Sequence, residues 1–301
     1  MLSHEFTRNA LLAGTPIALA CGVSGWFLVL RGQLFAGDAL SHVAFPGALA
    51  AAAAGLDERI GLFAATVAVG GGIGAFTWRS PVRGDSSASA PADDTTIGVV
   101  FTFVLGLGVF FLALFSMSSA GGSGIQAART LFGSIFGLGV GEARFAAVIG
   151  LLAVLLTLAI ARPLLFASLS PQVAAARGVP TRLLDVGFLA LLGVVAAEAT
   201  QAVGALLLLG LLSAPAAAAH RITAAPFAGI ALAGLLATAA MWGGLALGYA
   251  VPSLPPSSAI IALAVGIYAL AAAADHWRAG DRSGPAPRPA GVRSAAKAEA
   301  R

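Results

Sequence analysis

The stretch GDALSHVAFPGALAAAA places Asp38 and His42 four residues apart in an otherwise uncharged run. On a helix they share one face, about 6 Å apart along the axis. A carboxylate and an imidazole projecting together supply half of a divalent transition-metal site. Ser41 lies on an adjacent face and can add an oxygen, and Pro46 loosens the backbone one turn further on. Each residue also has a plain structural reading. Asp38 can cap the start of its helix, and His42 can hydrogen-bond to a neighbouring helix. A site of carboxylate and imidazole without thiolate suits zinc or manganese. It disfavours copper(I), which prefers Cys or Met. Magnesium gains little from imidazole and holds its water tightly.

Glu198, in VVAAEATQAVGALLL, is the other ionisable group inside a long apolar stretch, with Gln201 one turn away. Both are candidate polar path residues. Glu198 sits either in a helix interior or at the turn between two apolar helices, and the turn is the preferred reading.

The elements that must position these groups follow from composition. The 301 residues are 58% hydrophobic and only 10% charged, where a soluble domain carries about 25% charged residues. Mean hydropathy is +0.92. Such a chain cannot cover a folded surface in water, so its solvent is the lipid bilayer. Nearly uncharged stretches run over 9–30, 36–55, 60–78, 97–115, 145–161, 186–219, 226–250 and 258–274. A spanning helix needs roughly 20 such residues, and 186–219 is long enough for two. The expectation is an all-α integral membrane protein of about nine transmembrane helices. Barrel strands would alternate apolar and polar residues, and no such alternation occurs.

The formal net charge of +4 is no nucleic-acid signal, because six of the seventeen basic residues lie in the tail: Arg278, Arg282, Arg288, Arg293, Lys297 and Arg301. The transmembrane domain is expected over 1–275, with a disordered basic tail over 276–301. Cys21 is the single cysteine, so no intrachain disulfide forms. Its surroundings resemble a lipoprotein cleavage site, but Ala18 stands where Leu is usual and the apolar run continues to Leu30. A Cys packed inside the first span is the expectation.

Polar stretches punctuate the spans. Residues 79–96 read as a flexible loop, with Asp93, Asp94 and Thr95 as helix N-caps. Residues 116–142 read as an outer loop with a short interfacial helix around 127–135. In 170–180, Ser170 can cap a helix and Pro171 suits its first position. Gly178 suits its C-terminus, and Pro180 stops it. A helix of about two turns, Gln172 to Arg177, therefore lies outside the bilayer, as a connector or as a docking point for a partner. The later spans carry Gly204, Gly210, Ala214, Gly243, Gly244 and Gly248, which permit close packing. With nine spans and a cytoplasmic C-terminus, the basic residues divide thirteen inside to four outside (Arg8, Arg59, Arg129 and Arg144). That bias favours this orientation.

Taken together, these residues resemble the zinc, manganese and iron ABC importer permeases of bacteria. LVLRGQLFAGDALSHVAFPGALAAA resembles their second-helix signature. DDTTIGVVFTFVLGLGVFFLAL resembles the stretch entering their fourth helix, and RTLFGSIFGLG their short external helix. LSPQVAAARGVPTRLLD with QAVGALLLLGLLSAPAAAA resembles their ATPase-docking segment and the helix pair after it. The resemblance covers about 8–275. It implies a type II-like permease in the inner membrane, a homodimer with two cytoplasmic ABC ATPases and an extracytoplasmic metal-binding protein. It also implies that Asp38 and His42 line the metal path. ATPase contact falls on Ser170, Pro171, Gln172, Ala175, Arg177, Gly178 and Pro180. No permanent cofactor is implied, only a transported zinc or manganese ion, and two histidines per dimer lean toward zinc. The chain has no GxxxxGK[ST] nucleotide loop, so ATP hydrolysis falls to the partner. The competing reading is an ATP-independent secondary transporter or channel. It accounts for Asp38 and His42 but leaves the short capped helix without a purpose.

Overall fold

The computed structural model describes residues 4–77, 94–118, 133–251 and 253–282. Ten α-helices follow one another among them. They are α1 (Glu5–Leu30), α2 (Leu34–Ala53), α3 (Glu58–Thr77), α4 (Asp94–Ser118), α5 (Val140–Leu169), α6 (Pro171–Ala176), α7 (Thr181–Val203), α8 (Ala205–Ile222), α9 (Pro226–Ala250) and α10 (Pro256–Arg282). A 3-10 turn, Ile135–Gly137, precedes α5. Eight helices have the length and apolarity to cross a bilayer, and the shorter apolar α8 makes a ninth. Helices are the natural outcome here, since hydrocarbon offers no partner for backbone N–H and C=O groups and an α-helix satisfies them internally.

Helix α1 is the hub, packed against α5, α8, α9 and the start of α7. Its contacts depend on small residues. At Gly25 a side chain would run into the Leu212 backbone of α8, and at Gly22 into the Ala233 backbone of α9. Helices α3 and α7 approach in the same way, through Gly70 and Gly193. Of the small residues singled out in the sequence, Gly210, Gly243, Gly244 and Gly248 pack against α10, on Ile261, Leu263, Ile260 and Pro256. Larger side chains fill the middle, with Phe27 of α1 edge-on to Phe188 of α7 at 6.1 Å. Cys21 is fully buried inside α1, as expected for a packed residue rather than an anchor. By contrast α4 turns Val99, Phe103 and Val109 outward, as a lipid-facing helix does.

Side-chain bonds identify the two ends of the bundle. Arg31, at the end of α1, meets Ser168 near the end of α5 and Asp185 early in α7. Arg59, at the head of α3, pairs with Glu142 at the head of α5 on the opposite end. Helix α5 has 30 residues, about 45 Å, well over the ~30 Å hydrocarbon thickness. Its C-terminal end leads directly into α6 at the Arg31 end of the bundle.

Several local expectations shift. Helix α6 spans Pro171–Ala176, one residue earlier than expected, with Pro171 at its first position. Ser170 occupies the N-cap position, but its hydroxyl makes no capping bond; the Ser170 carbonyl instead accepts from Ala174 N–H at 2.9 Å. Asp94 and Thr95 fall within the described span of α4, while Asp93 and the stretch 79–93 fall outside the described residues. So does 127–132, the bulk of the expected interfacial helix, whose last residue Ile135 opens the 3-10 turn. Helix α10 continues to Arg282, beyond the boundary expected at 275, because Ala and Leu residues carry its helical run into the polar stretch. Residues 283–301 of the tail lie outside the described residues.

Candidate functional site

Asp38 and His42 occupy the second and third turns of α2, on the side of that helix facing α4. His42 Nε2 lies 3.9 Å from Asp38 Oδ1, and their side chains are 22% and 31% exposed. The Phe101 ring of α4 stands 5.3 Å from the His42 ring, tilted at 62°, and Phe35 lies beyond it at 6.2 Å. Two ligands of one tetrahedral ion at roughly 2.1 Å lie about 3.4 Å apart. A small rotamer adjustment therefore brings both atoms onto a single cation.

Pro46 sharpens the geometry. It has no N–H, so the helical bond that would end on the His42 carbonyl is not made. The proline ring packs on Gly108 of α4, where an added side chain would meet its Cγ at 2.8 Å. Ser41 does not join the pair. Its side chain is fully buried and its hydroxyl donates to the Asp38 carbonyl at 2.6 Å. Among the described residues no group of three or more His, Cys, Asp or Glu side chains gathers anywhere. One chain thus offers a cation two protein side chains of this kind here and leaves the remaining coordination positions to other donors.

Glu198 is not at a turn. It lies inside α7 and is 3% exposed, and the turn into α8 comes later, at Gly204 with φ 96°. The apolar run is broken at Glu198 without the helix being broken, which is why the sequence misplaced it. The residue is about 20 Å along α7 from Asp185, toward the opposite end of the bundle. Its neighbour Ala197 packs with Ala44 and Ala48 of α2, the helix that carries Asp38 and His42. Among the described residues Glu198 Oε1 and Gln201 Nε2 are buried with no hydrogen-bond partner. The Gln201 carbonyl accepts from Ser134 N–H at 3.3 Å, so the segment before α5 lies over this end of α7.

The remaining candidates lie on and beside α6. Gly178 has φ +80° and closes the helix in a Schellman turn. Its N–H donates to the Ala175 carbonyl, and Val179 N–H donates to Ala174, each at 3.0 Å. Gln172, Ala175 and Arg177 are exposed, and Ala174 is the buried residue of the helix. Sequence reasoning missed Arg31. It appears within the second-helix signature, but only its bonds to Ser168 and Asp185 disclose a structural task.

The sequence pattern described as the ABC 3 transport family matches residues 3–275. The chain is 29% identical over 201 residues to a manganese transport system membrane protein, MntC, of Halalkalibacterium halodurans. That match covers 67% of this chain and 64% of the relative's own length. A probable iron transport system membrane protein of Haemophilus influenzae is 26% identical, over 66% of this chain and 68% of that protein. Among solved structures, PsaBC from Streptococcus pneumoniae in complex with Fab superposes with a TM-score of 0.74 at 26% identity, covering 89% of this chain and 91% of that chain. An inward-facing putative metal-chelate type ABC transporter, 18% identical with a TM-score of 0.59, shares the fold.

If Asp38 and His42 hold a cation, Asp38→Ala and His42→Ala each lower metal uptake to background while expression and helix content stay at wild-type levels. Radiolabelled metal uptake into cells, with protein quantified by immunoblot, measures this. Wild-type uptake by either variant would remove that residue from the path.

Proposed function

Because the chain belongs to the ABC 3 transport family, we propose that it is the membrane permease of an ATP-driven importer for a divalent transition metal. The observation that carries this reading is the Asp38–His42 pair on α2, partly exposed and 3.9 Å apart, with too few ligands to complete a site alone. A second copy of the chain would supply a second pair. The permease then works as a homodimer in which each copy contributes its α2 pair to the path. The metal is cargo, held long enough to exchange its water for carboxylate and imidazole, then released.

Glu198 and Gln201 form a second station on this path, nearer the outer face. A buried carboxylate oxygen without a partner is costly in a membrane and is relieved by a passing cation. The α6 end faces the cytoplasm. Arg31, Arg162, Arg177 and Arg182 lie at or near that end, as the positive-inside rule requires. In that orientation the C-terminus of α10 is cytoplasmic, and α6, with Ser170 to Pro180, is the contact for the cytoplasmic ATPase. An extracytoplasmic binding protein delivers the ion to the other end. ATP closure moves α6, and the bundle rocks from outward-open to inward-open.

For the metal, an N/O site without thiolate fits manganese and zinc alike. The imidazole alone leans to zinc. The names of the relatives, which carry manganese and iron, move the reading to manganese. An ATP-independent transporter would use the same pair but would have no need of α6.

Three experiments test these statements. A deletion strain arrested by chelator should recover with manganese at lower concentration than with zinc or iron; recovery with copper or magnesium alone would overturn the reading of the site. Glu198→Gln, nearly isosteric, should lower metal uptake about tenfold with ATP hydrolysis intact, and unchanged uptake removes Glu198 from the path. At Gly178 an added Cβ meets nothing within 4 Å, so the penalty there is conformational, about 1–2 kcal/mol for a residue disfavoured at positive φ. Gly178→Val should therefore loosen ATPase assembly while Gly178→Asn keeps it. A Val variant that assembles and transports normally would make α6 a plain connector.

A further inference from the structure

Arg31 links three helices through one side chain. Its Nε donates to Ser168 Oγ at 2.8 Å and its terminal NH2 group to Asp185 Oδ1 at 2.8 Å. The guanidinium lies over the Phe188 ring, 5.3 Å from its centroid, and Phe188 is fully buried. The Arg31 side chain is 8% exposed and Asp185 30%. This is a charge-assisted fork against a buried ring, a more rigid arrangement than a surface ion pair.

The positions of the three partners matter. Ser168 is in the last turn of α5, just before α6. Asp185 is early in α7, just after α6. One guanidinium therefore holds both stems of the short helix. Helix α6 buries Ala174 alone, so a push on α6 reaches the bundle mainly through those stems.

On the other side, Arg31 is joined to α2 without slack. Gly32, at φ +64°, closes a Schellman turn on α1. Its N–H donates to the Val29 carbonyl at 3.1 Å, and Gln33 N–H donates to the Leu28 carbonyl at 3.0 Å. Helix α2 begins at Leu34, with Asp38 in its second turn. Ala36 and Gly37 N–H groups donate back to the Gln33 carbonyl, so the head of α2 continues directly from the turn.

We propose that Arg31 is a positioning residue that transmits movement of α6 to α2, so that the Asp38–His42 pair changes its setting in step with the ATPase cycle. The inference rests on the reading of α6 as the ATPase contact. Arg31 touches no metal; it acts through the turn at Gly32 and the stems of α6.

The test uses the complete complex of permease, ATPase and binding protein in proteoliposomes and reads metal ions moved per ATP hydrolysed. Arg31→Lys keeps the charge but loses the planar fork. Asp185→Asn keeps the shape but loses the charge. Each should preserve assembly and ATP hydrolysis while lowering metal moved per ATP at least threefold. The double variant should be no worse than the more severe single, because both interrupt one linkage. Wild-type metal per ATP in both single variants overturns the proposal. So does a parallel fall in transport, ATP hydrolysis and thermal stability, which marks a tie that only supports the fold. A cross-link from Gln172→Cys to the ATPase, in otherwise wild-type protein, separates the two readings; Cys21 is buried and does not compete. Without that cross-link the α6 reading fails whatever the Arg31 variants do. With it, an unchanged ratio sinks the coupling alone.

Discussion

Lipid gives these helices no hydrophobic reason to associate, because acyl chains are as apolar as leucine side chains. Association must come from close backbone contact and from the few polar groups that bond across helices. That constraint accounts for the placement of the glycines. Gly22 and Gly25 let α1 sit directly on the backbones of α9 and α8, and Gly70 with Gly193 do the same for α3 and α7. Dispersion over such contacts substitutes for the burial term that holds soluble cores together. The polar bonds are few and long-range, such as Trp242 Nε1 to Thr15 Oγ1 at 2.9 Å and His220 Nε2 to the Trp26 carbonyl at 3.0 Å.

The same constraint makes each buried polar group conspicuous. Asp38 and His42 keep partial exposure beside α4. Glu198 keeps almost none, and among the described residues one of its oxygens is unpaired. These groups divide along the bundle axis, one pair toward the Arg31 end and one residue toward the other. A permeating cation needs sites of that kind at more than one depth, each favourable enough to enter and weak enough to leave.

Chain ends of helices carry as much of the design as their middles. Gly32 and Gly178 both adopt positive φ and terminate helices in the same bonding pattern. One fixes the step from α1 into the helix bearing Asp38. The other fixes the exit from α6. Between them stands Arg31, whose fork reaches Ser168 and Asp185. The middles of the helices are largely apolar, so ion pairs across helices, such as Arg31–Asp185 and Arg59–Glu142, stand near the ends.

Much of this was legible in the sequence, because the signals are local. Span number follows from the lengths of uncharged runs. The Asp38–His42 face follows from four-residue spacing, and the short helix at 170–180 from Pro171 and Gly178. Where the sequence reading slipped, the deciding information was non-local. The sequence offers Ser41 as an oxygen donor, but it is fully buried and its hydroxyl turns to its own helix backbone. Glu198 was read as a turn because a charge interrupts an apolar run. Its neighbour Ala197 packs against α2, and the helix runs on to Val203 with Glu198 buried inside it. Ser170 fills a capping position without capping. Arg31 looked like one basic residue among several near a helix end. Local spacing determines which residues share a face, since helix geometry is the same in any surroundings. Which face meets which helix, and whether a charge finds a partner, depends on contacts between residues far apart in the chain, such as Arg31 with Asp185 and His42 with Phe101, and tertiary structure alone decided those.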